Sequence, residues 1–160
     1  MKRKILIVED NVGLSQIQKD WLSRAGYDAV TAMSEPIARS LIRKTQFDLI
    51  LSDVRLPEGD GISLLEWLRK EKKDIPFIIT TEYVSVPDVV RTIKLGARDY
   101  LPKPVHRDYL LELAEDVFHP VATVRKQERQ LFRRISPMIL KVEKFARLVA
   151  PSDMLSLIHI

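Results

Sequence analysis

The chain contains no cysteine among its 160 residues, so disulfides and thiolate metal sites are excluded. It has no apolar stretch near the roughly 20 residues that a membrane-spanning helix needs. The N-terminus MKRKILIVEDN starts basic, but its apolar run Ile5–Val8 stops at Glu9 and Asp10, so it is not read as a secretory signal. The composition lacks the bias of a disordered or fibrous chain. A cytoplasmic protein of one domain plus an appendage is the expectation.

Most of the chain also lacks a surplus of charge. Residues 1–120 carry 18 Lys/Arg against 19 Asp/Glu, whereas residues 121–160 carry 8 against 3. The basic character belongs to the tail, so the body is not expected to bind nucleic acid. A solvated helix face is the simplest reading of the tail, with contact to an acidic partner as the alternative.

What is present is an alternation of short apolar runs and helical patterns. Strands are predicted over Lys4–Val8, Asp28–Ala32, Phe47–Ser52, Pro76–Thr81 and Asp99–Leu101. Helices are predicted over Val12–Ala25 (with Leu14, Ile17, Trp21 and Leu22 at helical spacing), after an N-cap at Ser34 (with Ile37, Leu41 and Ile42 on one face), and over Gly61–Lys72, Pro87–Leu95 and Arg107–Phe118. Strands separated by such helices imply right-handed crossovers and a parallel sheet. The first, third and fourth strands are apolar nearly throughout, as when helices cover both faces. The fold class is therefore α/β, doubly wound, over about 120 residues.

In a parallel sheet the C-terminal strand ends share one edge, where ligands of open α/β folds bind. Here the first strand ends at Glu9 and Asp10, the third at Asp53, the fourth at Thr80 and Thr81, and the fifth is followed by Lys103. Taken singly, each has an ordinary role: a capping carboxylate, a strand threonine, a solvated lysine. Together they place three carboxylates, a hydroxyl and an ammonium at one edge. Clustered carboxylates repel unless a cation intervenes, and hard oxygen ligands beside a phosphoryl group suit Mg²⁺. A carboxylate can then attack phosphorus while the cations neutralise the incoming charge. Trp21 and Trp67 are read as packing, and His106, His119 and His159 lack mutual metal-ligand spacing.

The segments ILIVEDN, DLILSDVRLPEGDG, PFIITT and GARDYLPKP, in this order, resemble the receiver domain of bacterial two-component response regulators over roughly residues 3–120. The resemblance implies a five-stranded sheet in order 2-1-3-4-5. It implies that Asp53 accepts a phosphoryl group from a histidine kinase or phosphotransfer protein, with Mg²⁺ held by Glu9, Asp10, Asp53 and the Arg55 carbonyl. Thr81 would bind the phosphoryl oxygen, Lys103 would pair with it, and Tyr100 would change rotamer when Thr81 moves. The Lys103–Pro104 bond would be cis. Such domains signal by a shifted population of helix four, strand five and helix five, the surface expected for a homodimer. Two departures stand out. Glu82 follows Thr81 where a small residue is usual, so it would narrow access or repel the phosphodonor. Arg55 and Tyr83 fill the variable places two after Asp53 and Thr81, where they would tune loss of the phosphoryl group to water.

Past Pro120, apolar residues at Val117, Val124, Leu131 and Met138 recur every seven. Residues 121–135 are thus expected to form a linker helix, either a short coiled-coil dimer contact or a helix laid on its own domain. Residues 136–154, SPMILKVEKFARLVAPSDM, resemble the opening of the AAA+ domain of NtrC-type, sigma-54-dependent transcription activators. No G-x-x-x-x-G-K-[ST] motif is present, so ATP would be bound only by a domain further on. Residues 155–160, LSLIHI, match one translated frame of a transposon end used in sequencing libraries and are read as an artefact, with a genuine apolar strand as the alternative. Two other functions stay open: a stand-alone receiver acting by protein contact, and a Mg²⁺-dependent phosphatase with an aspartate nucleophile. Against the phosphatase, Arg55 stands where such enzymes commonly place a general-acid aspartate.

Overall fold

A computed structural model describes residues 1–120. Five strands alternate with five helices: β1 Lys4–Val8, α1 Val12–Arg24, β2 Asp28–Ala32, α2 Glu35–Lys44, β3 Leu49–Asp53, α3 Gly61–Lys70, β4 Phe77–Thr81, α4 Val86–Lys94, β5 Asp99–Pro102 and α5 Arg107–Phe118. All pairings are parallel, in the order β2-β1-β3-β4-β5. The doubly wound α/β expectation and its strand order are therefore met. The readings of the linker helix, the AAA+ opening and the terminal artefact lie outside the described residues.

The sheet forms because β1, β3 and β4 offer apolar side chains on both faces. Ile5, Ile7, Leu49, Leu51, Ile78 and Leu101 share one core with Leu22 of α1 and Leu110, Leu113 and Ala114 of α5. Alternation along each strand turns Leu6, Ile50, Phe77 and Ile79, all buried, to the opposite face. Each such burial contributes about 1.5–3 kcal/mol. Arg69 at the end of α3 donates hydrogen bonds to the carbonyls of Lys73, Ile75, Leu95 and Gly96, tying α3 to the loop that follows it and to the turn after α4.

Two helices seat differently from the sequence reading. In α1 the buried positions are Ser15, Gln18 and Leu22, while Leu14 and Ile17 are 38% and 46% exposed. The apolar arc of this helix is wider than the strip its own sheet covers, and spacing alone does not say which part is covered. In α2, Ile42 points inward as expected and Leu41 is half-buried, but Ile37 is exposed while Ala38 and Glu35 are buried. Ser34 is the N-cap residue, although its side chain makes no capping hydrogen bond.

The C-terminal end of α5 is fastened to the turn before β2. Tyr27 Oη donates to Glu115 Oε2 at 3.0 Å, its ring lies 5.3 Å from Phe118, and the Arg3 guanidinium sits 5.6 Å from the Phe118 centroid. Burial, then the hydrogen bond and charge of Glu115, push the Tyr27 phenol from 10.0 up to about 12. Its raised value in the fold means that this contribution is complete below pH 10.0 and is lost as pH rises through about 12. Tyr27→Phe is expected to lower stability by about 0.5–1.5 kcal/mol at neutral pH. The deficit should shrink in alkaline solution, as read from urea unfolding across the pH range. A constant deficit would show that Tyr27 packs without titrating differently in the fold.

Candidate functional site

The C-terminal edge of the sheet gathers the charged side chains. β1 stops at Val8, and Glu9 and Asp10 turn over the edge, the Glu9 N–H donating to Ala32 O at 2.9 Å. Asp53 is the last residue of β3, in register with Thr80, and is buried. The Lys103 N–H donates to Thr81 O at 2.7 Å, which brings the loop after β5 across the end of β4. The Lys103–Pro104 peptide bond is cis.

Lys103 Nζ lies 2.6 Å from Glu9 Oε2 and 2.7 Å from Asp53 Oδ2, with the three side chains 9%, 3% and 9% exposed. Burial works to lower the Lys103 ammonium, but the hydrogen bonds and charges of Asp53 and Glu9 outweigh it and hold the group above its ordinary range. Burial raises the Glu9 carboxyl, a rise only partly offset by Lys103 and by the Asn11 N–H, which donates to Glu9 Oε1 at 3.2 Å. One carboxylate oxygen each from Glu9, Asp10 and Asp53 lies within 4.8 Å of the others, and Asp10 is exposed. Three oxygens converging so closely, two of them on buried acids, form a donor set that suits a hard divalent cation. The Arg55 N–H donates to Asp53 Oδ1 at 3.2 Å, so the loop after β3 folds back over Asp53.

Thr81 is buried at the end of β4, but its hydroxyl faces its own loop. Oγ1 donates to Tyr83 O at 2.8 Å and accepts from Tyr83 N at 3.2 Å. It is not hydrogen-bonded to any of the three carboxylates. Tyr100, 6% exposed, lies inward, and its hydroxyl makes no hydrogen bond of good geometry. Burial raises the Tyr100 phenol, with polar contact to Thr81 and the Ser85 backbone acting the other way. The rim is made by Arg55, whose guanidinium lies 4.5 Å from the centroid of the exposed Tyr83 ring, and by the exposed Glu82. Beside them a groove of about 330 Å³ runs between Lys103, Pro104 and Val105 and the Leu14, Ile17 and Trp21 stripe of α1.

Two contributors escaped the sequence reading. Asn11 caps α1 by accepting from Leu14 N at 3.0 Å while its N–H orients Glu9, and an Asn just before a helical pattern is the signal for it. Gly61, the first residue of α3, packs so tightly under Asp53 that a Cβ there would overlap the Asp53 carbonyl oxygen. Nothing local in the sequence reveals that approach.

Comparison with known proteins agrees with this geometry. The family described as "Response regulator receiver domain" matches residues 5–115. The chain is 33% identical over 156 residues to the transcriptional regulatory protein GlrR of Escherichia coli K12, covering 97% of this chain and 35% of that protein. It is 36% identical over 167 residues to ZraR of Salmonella typhimurium, covering 99% of this chain and 37% of that one. The chain thus spans about a third of the length of these curated relatives. Among solved structures, a CheY-like receiver domain from Methanospirillum hungatei superposes with a TM-score of 0.70 at 30% identity, over 81% of this chain and 99% of that one. The non-phosphorylated HemR receiver domain from Leptospira biflexa gives 0.69 at 36%, over 74% of this chain and 95% of that one. With the sheet order, the acidic edge and these matches in agreement, the chain belongs to the receiver-domain family of two-component response regulators.

Proposed function

We propose that Asp53 is the phosphoacceptor of this receiver and that a histidine kinase or phosphotransfer protein is the donor. The observation that carries the reading is the Lys103 ammonium seated 2.6 and 2.7 Å from Glu9 and Asp53, beside three converging carboxylates. An Asp53 carboxylate oxygen attacks phosphorus, the bond from phosphorus to the donor's histidine nitrogen breaks, and the freed imidazole takes up a proton. The product on the chain is an aspartyl phosphate. Glu9, Asp10, Asp53 and the Arg55 carbonyl would hold Mg²⁺, which supplies charge neutralisation at the phosphoryl oxygens. Lys103 pairs with the added charge, roughly −1.5 to −2 at neutral pH.

Thr81 carries the change outward. Its hydroxyl exchanges the Tyr83 carbonyl for a phosphoryl oxygen, which loosens the turn beginning at Thr81 and shifts the population of α4, β5 and α5. Tyr100 already lies inward, so Thr81 is the group that moves first. Arg55, Tyr83 and Glu82 at the rim govern the approach of water and donor. The exposed Leu14 and Ile17 beside Lys103 offer apolar surface to a donor's helix. Residues 121–135 link the receiver to an AAA+ domain of a sigma-54-dependent activator that 136–154 open, a reading supported by matches that run past the receiver to cover 97% and 99% of the chain. A homodimer forms through α4, β5 and α5.

Incubation with Mg²⁺ and acetyl phosphate, followed by intact mass, tests the site. The wild type should gain one phosphoryl mass and Asp53→Asn none. An equal gain by Asp53→Asn, or no gain by the wild type, would refute the assignment. Decay of the adduct in Arg55→Ala and Tyr83→Ala, compared with the wild type, tests the rim. Identical lifetimes would remove both residues from that role.

A further inference from the structure

The least expected buried group among the described residues lies away from the acidic edge, at the start of α2. Glu35 is 5% exposed, in the first turn of a helix otherwise packed through Ala38 and Ile42. One of its oxygens accepts from Arg39 Nη2 and the other accepts the Asp60 N–H at 2.9 Å. Its own N–H donates to Glu58 O at 3.3 Å. Arg39 is in turn held over the Trp67 ring, 5.1 Å from its centroid, with Arg43 at 5.5 Å from the same ring. A buried carboxylate is costly unless its oxygens are satisfied, and here a cation and a backbone donor satisfy them.

The carboxylate rests on Gly59. That residue has φ +81, and a Cβ added to it would fall within the Glu35 carboxylate. Gly59 and Asp60 belong to the loop between β3 and α3. The loop closes on itself through the antiparallel bridge between Arg55 and Asp60 and through the Gly61 N–H donating to Val54 O at 2.9 Å. Its far end is fixed by Asp60 capping α3, where Oδ1 accepts from Ser63 N at 2.7 Å. Arg55, whose N–H donates to Asp53, lies opposite Asp60 in that bridge. The loop is thus anchored outside itself by a side chain on a different helix, and its free arm lies against Asp53.

We infer that Glu35 is a positioning residue for the phosphoacceptor site: by filling the space over Gly59 and holding the Asp60 N–H, it sets the β3–α3 loop and with it the Arg55 backbone beside Asp53. This rests on the reading of Asp53 and the Arg55 carbonyl given above. Arg39 positions Glu35, and Trp67 supports Arg39.

The test uses the full chain, with Mg²⁺ titrations followed by amide NMR shifts and with phosphorylation rates in acetyl phosphate. Glu35→Leu keeps the bulk and removes the acceptor. It should speed hydrogen exchange of the Asp60 amide, weaken Mg²⁺ by about tenfold and slow phosphorylation in step. Glu35→Gln keeps an acceptor for the Asp60 N–H and should restore Mg²⁺ affinity to within about twofold of the wild type. Gly59→Ala displaces the carboxylate without deleting it and should weaken Mg²⁺ as Glu35→Leu does, which decides the matter should the leucine variant not fold. A purely structural role would lower the melting temperature of these variants and leave Mg²⁺ affinity at the wild-type value; that result overturns the inference. A wild type that neither binds Mg²⁺ nor takes up phosphate instead refutes the underlying site.

Discussion

Gly61→Ala is expected to lose about 2–3 kcal/mol of stability and most of its phosphorylation at Asp53. The cost does not come from conformation, since Gly61 is absent from the positive-φ residues. It comes from close approach: a Cβ would overlap the Asp53 carbonyl oxygen and lie 2.9 Å from Ser52 Oγ and 3.0 Å from the Asp53 carbonyl carbon. These are largely backbone atoms of a central strand hydrogen-bonded on both sides, so the neighbour cannot swing aside as a surface side chain would. Alanine is the better helix former by about 1 kcal/mol, which offsets part of the clash and sets the net figure. Gly13→Ala is the control, because its Cβ would meet only Asn11 Oδ1 at 3.4 Å. It should be neutral or stabilising by up to about 1 kcal/mol. Urea midpoints of the two variants, with intact mass after acetyl phosphate, check the pair. A Gly61→Ala midpoint at or above that of wild type would show that the loop relaxes freely away from β3.

Lys103→Met should be the second large effect, and its size should depend on the metal. Removing the ammonium leaves the carboxylates of Glu9 and Asp53, 3% and 9% exposed, facing one another without a cation. Breaking one partner out of a buried ion pair costs about 3–5 kcal/mol, and the lower end applies here because the site opens on one side to solvent. The deficit belongs to metal-free protein at neutral pH. Millimolar Mg²⁺ should recover most of it and raise the melting temperature of the variant more than that of the wild type. Acid should narrow it too. Glu9 is already raised by burial, and losing Lys103 removes the larger of the influences that lower it, leaving only the Asn11 N–H, so its folded value rises further. An acid raised in the fold binds its proton more readily folded than unfolded, so the variant gains on the wild type as pH falls towards the ordinary carboxylate range. Phosphorylation should be lost whether or not Mg²⁺ is present, because the buried ammonium that sits 2.7 Å from Asp53 Oδ2 and pairs with the added charge is gone. Equal metal-free stability of variant and wild type would mean that water or Arg55 already screens the two acids.

Both predictions concern a site whose parts were visible in the sequence and whose arrangement was not. The strand runs ILIV, LIL and FIIT, apolar on both faces, determine a covered parallel sheet, because only burial on each side offsets the cost of extended apolar chain. Parallel strands place their C-terminal residues on one edge, so Glu9, Asp10, Asp53, Thr81 and Lys103 could be brought together on paper. That much is local pattern plus topology. Which arc of α1 is covered, and therefore that Leu14 and Ile17 face a groove instead of the core, depends on the width of the strip the sheet offers, a property of the packed whole. The same holds for the partner of Thr81, whose hydroxyl is taken by the Tyr83 backbone, and for the inward seat of Tyr100. Gly61 under Asp53 and Glu35 over Gly59 join segments up to about two dozen residues apart by contacts that need a particular crossover angle. Side-chain identity thus determined which groups reach the edge, because hydrophobic periodicity and strand direction are written residue by residue. Only tertiary packing decided their distances, burial and hydrogen-bond partners, because these depend on how non-neighbouring elements close on one another.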